Sequence, residues 1–204
     1  MKLVIATKNF GKLAECRELL ADTPFSIFSL QDYPAIYDIA ETGHTLYENA
    51  ALKAETVAKL TGELTLADDT GLEVDALGGR PGVYSARFAG VDASDADNKA
   101  ELLRQLQDVP LAKRTARFRT VIALARPGQE TSFVQGICEG IIGQEEQGND
   151  GFGYDSLFFV PSLGVTFAQM TRATKNTISH RAQAMAQAQQ FLEKMVNDAP
   201  ERAN

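Results

Sequence analysis

Two long extended stretches joined by a tight turn constrain the fold of this chain most strongly. Over residues 115–125, apolar and small side chains alternate with arginines, as in an antiparallel strand with one buried face. Pro127 and Gly128 then turn the chain into a second extended stretch at residues 131–142, which predicts a β hairpin. The middle of the chain is therefore expected to pair in the antiparallel direction.

The first third of the chain follows a different pattern, in which short apolar runs precede helical segments. Residues 3–6 predict a buried strand, and a loop at residues 7–12 precedes a helix that runs to about Leu20. A second helix is predicted over residues 46–61, with a threonine–glutamate capping box before it and a glycine after it. A βα beginning followed by an antiparallel middle predicts an α/β fold with a mixed sheet.

Composition and charge argue against several classes of protein. The chain has 204 residues with a hydrophobic content of 44%, which is enough for one domain over residues 1–204. Its net charge of −7 argues against broad binding to nucleic acid or to an anionic membrane. The start turns polar too early for a signal peptide, and no apolar run approaches the roughly 20 residues that span a bilayer. Two distant cysteines, Cys16 and Cys138, fit a reducing cytoplasm.

Two adjacent carboxylates, Asp68 and Asp69, follow the apolar run at residues 64–67. Thr70 and Gly71 give a turn signal after them, so the pattern predicts that the strand ends at the two acids. Ligands bind beyond the carboxyl ends of strands in open α/β sheets. One hypothesis is therefore a divalent-cation and phosphate site. The alternative is one aspartate that caps the turn beside another that is solvated.

Cations near two predicted helix starts indicate a second kind of site. Lys8 and Lys12 flank the first helix start, where a cation is unfavourable by roughly 0.3–1 kcal/mol and an anion is favourable. The loop is not a Walker A motif, because it has one glycine and Leu13 follows the lysine. The alternative is an ordinary connection with solvated lysines. The same conflict arises at the start of the last helix, near Lys175, His180 and Arg181.

A glycine-rich loop at residues 148–155 carries aromatic side chains ahead of an apolar strand. Phe152 and Tyr154 either stack on a nucleobase or fill the core, and their spacing does not separate the two possibilities. Lys53 lies on a flank of the second helix that faces either a cleft or solvent, and Glu41 lies in the loop before that helix. A solvated lysine and an ordinary loop acid are the default interpretations.

Five stretches together resemble the inosine-triphosphate pyrophosphatase family, the Ham1-like nucleotide hydrolases. They are TKNFGK at residues 7–12, ETGHTLYENAALKA at 41–54, ADDTGLEVDALGGRPGVYSARFAG at 67–90, GFGYDSLFF at 151–159 and KNTISHRAQA at 175–184. The resemblance implies a two-lobed α/β fold with a long central mixed sheet flanked by helices and a nucleotide cleft between the lobes. It also implies a homodimer that requires Mg²⁺ and hydrolyses dITP, ITP and XTP to the monophosphate and pyrophosphate.

The resemblance also implies roles for residues of this chain. It makes Asp69 the general base, and Glu41 with Asp69 the ligands of Mg²⁺. The substrate-binding residues that it implies are Thr7, Lys8, Asn9, Phe10, Gly11, Lys12, Lys53, Thr70, Phe152, Gly153, Tyr154, Asp155, Lys175, His180 and Arg181. Three positions depart from the family pattern: Tyr47 replaces a glutamate, Ser156 a proline and Thr174 an acid. These departures concern loop geometry and rate rather than the class of reaction.

Two other functions are kept as alternatives. A nucleotide-binding regulator without turnover would keep the basic loops but has no need of Asp68 and Asp69. A Maf-like pyrophosphatase shares the general architecture and acts on other nucleotides, and the stretch Ser179-His180-Arg181 argues against it.

The choice of base follows from the hydrogen-bond donors at His180 and Arg181. These donors suit the oxygen at C6 of hypoxanthine or xanthine better than the amino group of adenine.

Overall fold

The computed structural model describes residues 1–36 and 39–197. The strands are β1 (Lys2–Ile5), β2 (Ser26–Ser29), β3 (Leu64–Val74), β4 (Pro81–Gly82), β5 (Thr115–Ala125), β6 (Ser132–Ile142), β7 (Phe158–Val160) and β8 (Val165–Thr166). The helices are α1 (Phe10–Leu19), α2 (Leu46–Thr61), α3 (Asp95–Gln105), α4 (Arg172–Ile178) and α5 (His180–Asn197). Within these residues, no helix has both the length and the apolar character needed to cross a membrane.

The described strands form one mixed sheet in the order β2-β1-β3-β5-β6-β7-β8, with β4 paired to β3 beside this path. β1 is parallel to β2 and β3, whereas each pair from β3 onward is antiparallel. Parallel strands need long crossover connections: α1 lies in the connection from β1 to β2, and α2 lies in the connection that passes β1 from β2 to β3. The predicted mixed sheet and the predicted hairpin of β5 and β6 are confirmed.

The prediction that a strand ends at Asp68 and Asp69 is wrong, because β3 continues to Val74. β1 pairs with β3 only over residues 64–66, whereas β5 pairs with it over residues 65–74. The ladder with β5 satisfies the backbone past the aspartates, so the turn-like residues after them stay extended. Both aspartates therefore lie within β3, just beyond the carboxyl end of β1.

Three hydrophobic clusters divide the molecule into two lobes. In the first lobe, α1 and α5 cover one face of the sheet around Leu66 and Ile122, and α2 covers the other face around Val121. The third cluster lies at the opposite ends of β3 and β5, around Leu72 and Phe118. The long central strands run through both lobes, as the two-lobed fold predicts.

Near the predicted site, one helix begins earlier than expected and one short helix was not predicted. α1 begins at Phe10, so the segment predicted as a loop supplies the cap and the first turn of this helix. Lys175 lies inside a separate short helix, α4, instead of a loop. Ser179 joins α4 to α5 and caps α5 as predicted, because its hydroxyl accepts a hydrogen bond from Ala182 N–H at 3.2 Å.

Candidate active site

A cleft of about 280 Å³ lies between the lobes, beside the part of β3 that extends beyond β1. Every residue expected to bind substrate or metal or to act as base lines this cleft, except Phe10 and Gly11. The Phe10 side chain is 74% exposed. A Cβ added to Gly11 would lie 2.7 Å from a ring carbon of Phe152. Gly11 therefore lets the Phe152 ring approach α1, whereas Phe10 takes no part in the lining.

The first turn of α1 forms one end of the cleft. Asn9 caps this helix, and its side-chain oxygen accepts a hydrogen bond from Lys12 N–H at 3.0 Å. Thr7 supports the cap, because its hydroxyl oxygen accepts from Asn9 N–H at 3.2 Å. The backbone amides of a helix start attract anions, and the side chains of Lys8 and Lys12 line the same end. This end of the cleft is suited to phosphate.

Lys53 of α2 joins the acidic side chains of the cleft. Its ammonium donates to Glu41 Oε1 at 2.6 Å and to the carbonyl oxygen of Asp68 at 2.9 Å, and it lies 3.6 Å from Asp69 Oδ1. The side chain is buried, so the default interpretation of a solvated lysine is wrong. Glu41 is likewise more than an ordinary loop acid, because it shares one ammonium group with Asp69.

The two adjacent aspartates are both buried and contact helices on opposite faces of β3, as expected for neighbouring residues of a strand. Asp68 Oδ2 lies 3.0 Å from Lys12 Nζ of α1 and 3.2 Å from Arg181 Nη2 of α5. Asp69 faces Lys53 of α2 on the other side. The alternative in which one aspartate caps a turn and the other is solvated is therefore wrong.

The surroundings of the two aspartates shift the pKa values of their carboxyl groups in opposite directions. Burial favours the neutral form of Asp68, but the charges of Lys12, Arg181 and Lys53 outweigh it and hold the pKa of this carboxyl well below its ordinary value. Burial raises the pKa of Asp69 despite the opposing charges of Lys53 and Lys12. Within the described residues, Asp69 Oδ2 and Asp68 Oδ1 are both buried and accept no hydrogen bond. Asp69, unlike Asp68, is among the residues that line the cleft, so Asp68 is a charged anchor while Asp69 can bind a proton or a cation from the cleft.

A buried carboxylate that the sequence analysis missed, Glu15, holds the cations at the other end of the cleft. It accepts a hydrogen bond from Lys175 Nζ at 3.0 Å and a second one from Arg181. Lys175 also donates to Asp155 Oδ2 at 2.7 Å, and Arg181 donates to Asp68. Burial opposes ionisation of Glu15, but the two cations lower its pKa below the ordinary value. Glu15 therefore connects α1 to α4 and α5.

Two aromatic side chains of the glycine-rich loop have different environments. The Phe152 ring is half-buried, with Lys175 Nζ 5.1 Å and the Arg181 guanidinium carbon 5.8 Å from its centroid. Tyr154 is buried in the core of the second lobe, and its hydroxyl donates to the carbonyl oxygen of Ser85 at 2.8 Å. Phe152 is thus the ring of this loop with a partly open surface, whereas Tyr154 mainly fills the core.

His180 occupies a buried aromatic environment at the start of α5. Its ring stacks on Phe118 with the centroids 4.6 Å apart and on Phe167 at 5.9 Å. Burial and the positive charges of Arg181 and Lys175 lower the pKa of His180 well below its ordinary value. The imidazole is therefore neutral at pH 7, with one nitrogen that donates a hydrogen bond and one that accepts.

Comparison with known proteins identifies the family of this chain. Residues 3–191 match the Ham1 family. The chain belongs to the Ham1 family. The dITP/XTP pyrophosphatase of Shouchella clausii is 52% identical to it over 192 residues, which cover 94% of this chain and 96% of the relative. The dITP/XTP pyrophosphatase of Listeria innocua is 50% identical over 195 residues, which cover 96% of each chain.

Solved structures of Ham1 proteins share the fold. The Ham1 protein of Coxiella burnetii has a TM-score of 0.87 at 41% identity, covering 95% of this chain and 99% of its own. The Ham1 protein of Staphylococcus aureus has a TM-score of 0.85 at 40% identity, covering 96% of this chain and all of its own, 100%. The match favours the Ham1 family over the Maf-like alternative.

This Ham1 cleft has further lining residues that the sequence analysis did not assign to the site. They are Val83, Ser85, Ala86, Asp95 and Phe118. The first three lie within the motif at residues 67–90, which had carried the resemblance without a role for them. Phe118 belongs to the side chains that alternate with arginines over residues 115–125, whereas the sequence makes no prediction for Asp95. The pattern of the sequence therefore contained a signal for Phe118 but none that connected Asp95 to the cleft.

Proposed function

We propose that this protein hydrolyses dITP, ITP and XTP to the nucleoside monophosphate and pyrophosphate. The observation that carries the proposal is one cleft with three chemically different zones. Lysines and a helix start at one end suit a triphosphate, carboxylates between the ends suit a metal ion and a water, and donors and rings at the other end suit a purine. The names of the curated relatives, dITP/XTP pyrophosphatases, support the same substrates.

The phosphate end of the cleft compensates the negative charge of the substrate. Lys8, Lys12 and Lys53 line the cleft from two helices and a loop, together with Asn9, the cap of α1. Lys12 and Lys53 each contact an aspartate of β3, so their ammonium groups are held in place before substrate arrives. Preorganised cations stabilise the charge that develops on a leaving pyrophosphate more effectively than mobile ones.

Glu41 and Asp69 fit a magnesium ion. Mg²⁺ takes oxygen ligands, usually one or two carboxylates together with waters and substrate phosphates. The two side chains meet at Lys53, and Asp69 Oδ2 is a buried oxygen without a hydrogen bond from the described residues. Over residues 1–36 and 39–197, no group of three or more His, Cys, Asp and Glu side chains is arranged to hold a metal ion. A bound Mg²⁺ supplies Lewis-acid polarisation of the phosphate.

Asp69 is the general base in this proposal. A water attacks the α-phosphorus, the bond from this phosphorus to the bridging oxygen breaks, and pyrophosphate leaves while the water loses a proton. Asp69 is among the residues that line the cleft, whereas Asp68 pairs with Lys12 and Arg181 on the other face of β3. The structure therefore supports Asp69, and not its neighbour, as the group that takes the proton.

The nucleoside end supports selection of purines with an oxygen at C6. Arg181 only donates hydrogen bonds, and the neutral His180 donates from one nitrogen. An amino group at C6, as in adenine, leaves a buried donor without an acceptor, which costs a site much of its affinity.

The variant Arg181→Lys tests this account of base selection. Arg181 also balances the charges of Asp68 and Glu15, so lysine is chosen because it keeps the positive charge while it removes the forked geometry of the guanidinium group. We expect it to lose selectivity for ITP over ATP, and unchanged selectivity would remove Arg181 from base recognition.

We further propose that the protein is a homodimer, as the family resemblance implies, and that it is located in the cytoplasm. Tyr47 and Phe133 form a partly exposed aromatic contact with ring centroids 5.5 Å apart, which offers apolar surface to a second copy. The free cysteines Cys16 and Cys138 are both buried, which fits a reducing compartment. Light scattering should give the mass of a dimer, and a monomer at micromolar concentration would contradict this part of the proposal.

A substrate panel with and without metal tests the proposed reaction. Pyrophosphate release is measured from ITP, dITP, XTP, GTP and ATP, first with Mg²⁺ and then with EDTA. The proposal predicts release from the deaminated purine nucleotides with Mg²⁺, little release from ATP, and none with EDTA. Binding of the nucleotides without any release would favour the non-catalytic regulator.

A further inference from the structure

The nucleoside side of the cleft has a second support in α3, outside the residues expected to bind substrate. The first residue of this helix, Asp95, accepts a hydrogen bond through Oδ2 from Gly153 N–H at 2.7 Å. Lys99, one turn later, pairs with Glu146 and lies 3.4 Å from Ser156 Oγ. Since residues i and i+4 lie on the same face of a helix, α3 presents both side chains to the same loop.

These contacts hold the segment from Phe152 to Ser156, which forms one wall of the cleft. Phe152 N–H donates to Asp155 Oδ2 at 3.1 Å and Gly153 N–H donates to Asp95, so two consecutive amides bind carboxylates from different elements. Asp155 in turn accepts from Lys175 of α4 at 2.7 Å. Asp155 therefore connects this wall to α4, while Asp95 connects it to α3.

The end of the same segment is also tied to α3. The hydroxyl of Ser156 donates to Glu146 Oε2 at 2.7 Å. Hydrogen bonds from Lys99 and Ser156 lower the pKa of Glu146, so this carboxylate stays charged at neutral pH. Lys99 and Ser156 therefore share the Glu146 carboxylate, which fastens the end of this segment to α3 through side-chain hydrogen bonds.

We propose that Asp95 and Lys99 are positioning residues that set the nucleoside side of the cleft through the segment from Phe152 to Ser156. The proposal rests on the proposed function and adds two residues to it. The phosphate end is built from α1, α2 and β3, so its affinity for phosphates is expected to be independent of these contacts. Loss of Asp95 should therefore weaken binding of a nucleotide but leave binding of a bare polyphosphate unchanged.

The variant Asp95→Ala tests this separation, and Asp97→Ala is its matched control. Asp97 lies in the same turn of α3 and accepts from Ser94 N–H at 2.9 Å and from Ser94 Oγ at 2.6 Å, so it caps the helix. We expect Asp95→Ala to raise KM for ITP on the order of tenfold, with a smaller change in kcat. The inhibition constant of inorganic tripolyphosphate should stay at the wild-type value. Asp97→Ala should lower the melting temperature but leave KM unchanged.

Two further variants separate positioning from a general effect on the fold. In Asp95→Asn the amide oxygen still accepts from Gly153 N–H, so KM should return to within about threefold of wild type. Lys99→Met keeps the length of the side chain but removes its charge, and it should raise KM for ITP by about threefold. An unchanged KM in Asp95→Ala, or an equal weakening of tripolyphosphate and ITP, would overturn the proposal.

Failure of the positioning role of α3 can be distinguished from failure of the proposed function. If the wild-type protein releases no pyrophosphate from ITP, the proposed function fails, and binding of IMP by calorimetry replaces KM as the readout. Weaker binding of IMP to Asp95→Ala than to Asp97→Ala would still support positioning by α3. Equal binding to the two variants would overturn it.

Discussion

Replacing Glu15 by glutamine tests how the cations of the cleft are held. Glu15 is 6% exposed and pairs with Lys175 and Arg181. Removing one member of a buried ion pair costs about 3–5 kcal/mol, because the partner stays buried without compensation. Here each cation keeps a second carboxylate, Asp155 for Lys175 and Asp68 for Arg181, and the glutamine oxygen still accepts one hydrogen bond. We therefore expect a loss of about 2–3 kcal/mol in the free energy of unfolding.

The assay is thermal and urea unfolding of wild type, Glu15→Gln and a matched control, Glu18→Gln. For a domain of this size, 1 kcal/mol corresponds to roughly 2–4 °C, so the melting temperature of Glu15→Gln should fall by about 4–12 °C. Glu18 lies on the same helix but is exposed, and it pairs with the exposed Arg172 at 2.8 Å. Exposed pairs contribute at most about 1 kcal/mol, so the control should melt within a few degrees of wild type.

The pH dependence gives a second test of the same reasoning. The pKa of Glu15 is lowered in the folded protein, from an ordinary value of 4.5. Its contribution to stability is therefore present above the unfolded pKa and is lost as the pH falls through the lowered folded pKa. The gap in unfolding free energy between wild type and Glu15→Gln should narrow below about pH 4.5. A loss at pH 7 no larger than that of Glu18→Gln, or a gap that stays constant down to pH 3, would refute the reasoning.

Three further variants probe the site and its support. Asp69→Asn should lower pyrophosphate release on the order of 100-fold or more with an unchanged circular dichroism spectrum, because a general base contributes that much; near-normal release would remove Asp69 from the base role. Lys53→Met should strongly reduce release, since it leaves the acids of the cleft without their shared cation, whereas Lys59→Met on the exposed part of α2 should match wild type. In Gly136→Ala the new Cβ would lie 2.1 Å from the His180 carbonyl oxygen, so α5 must move and the melting temperature should fall; an unchanged melting temperature would contradict this packing.

The elements that the sequence predicted well carry their signals locally. The capping box of Thr45 and Glu48, with Gly62 at the other end, places α2 correctly because each of these groups bonds within a few residues of itself in the chain. The hairpin of β5 and β6 follows from alternation and a short turn. The cations near the two predicted helix starts line one cleft, which the folded chain assembles from segments far apart in the sequence.

The features that the sequence did not reveal depend on contacts between distant parts of the chain. The turn signal after Asp69 was overridden because β5 pairs along the whole second half of β3. Glu15 gave no local sign of its role, because its partners Lys175 and Arg181 follow it by 160 and 166 residues. Asp95 gave no local sign of its role either, because only the folded chain brings it to Gly153. Tertiary contacts, and not residue type, distinguish these acids from solvated ones.

The central claim is that the cleft directs water to the α-phosphorus of a purine nucleoside triphosphate. Hydrolysis of ITP in H₂¹⁸O with Mg²⁺, followed by mass spectrometry of both products, tests it most directly. The account predicts that the heavy oxygen enters IMP and is absent from pyrophosphate. Label in pyrophosphate, or release of inorganic phosphate with IDP as the other product, would contradict it.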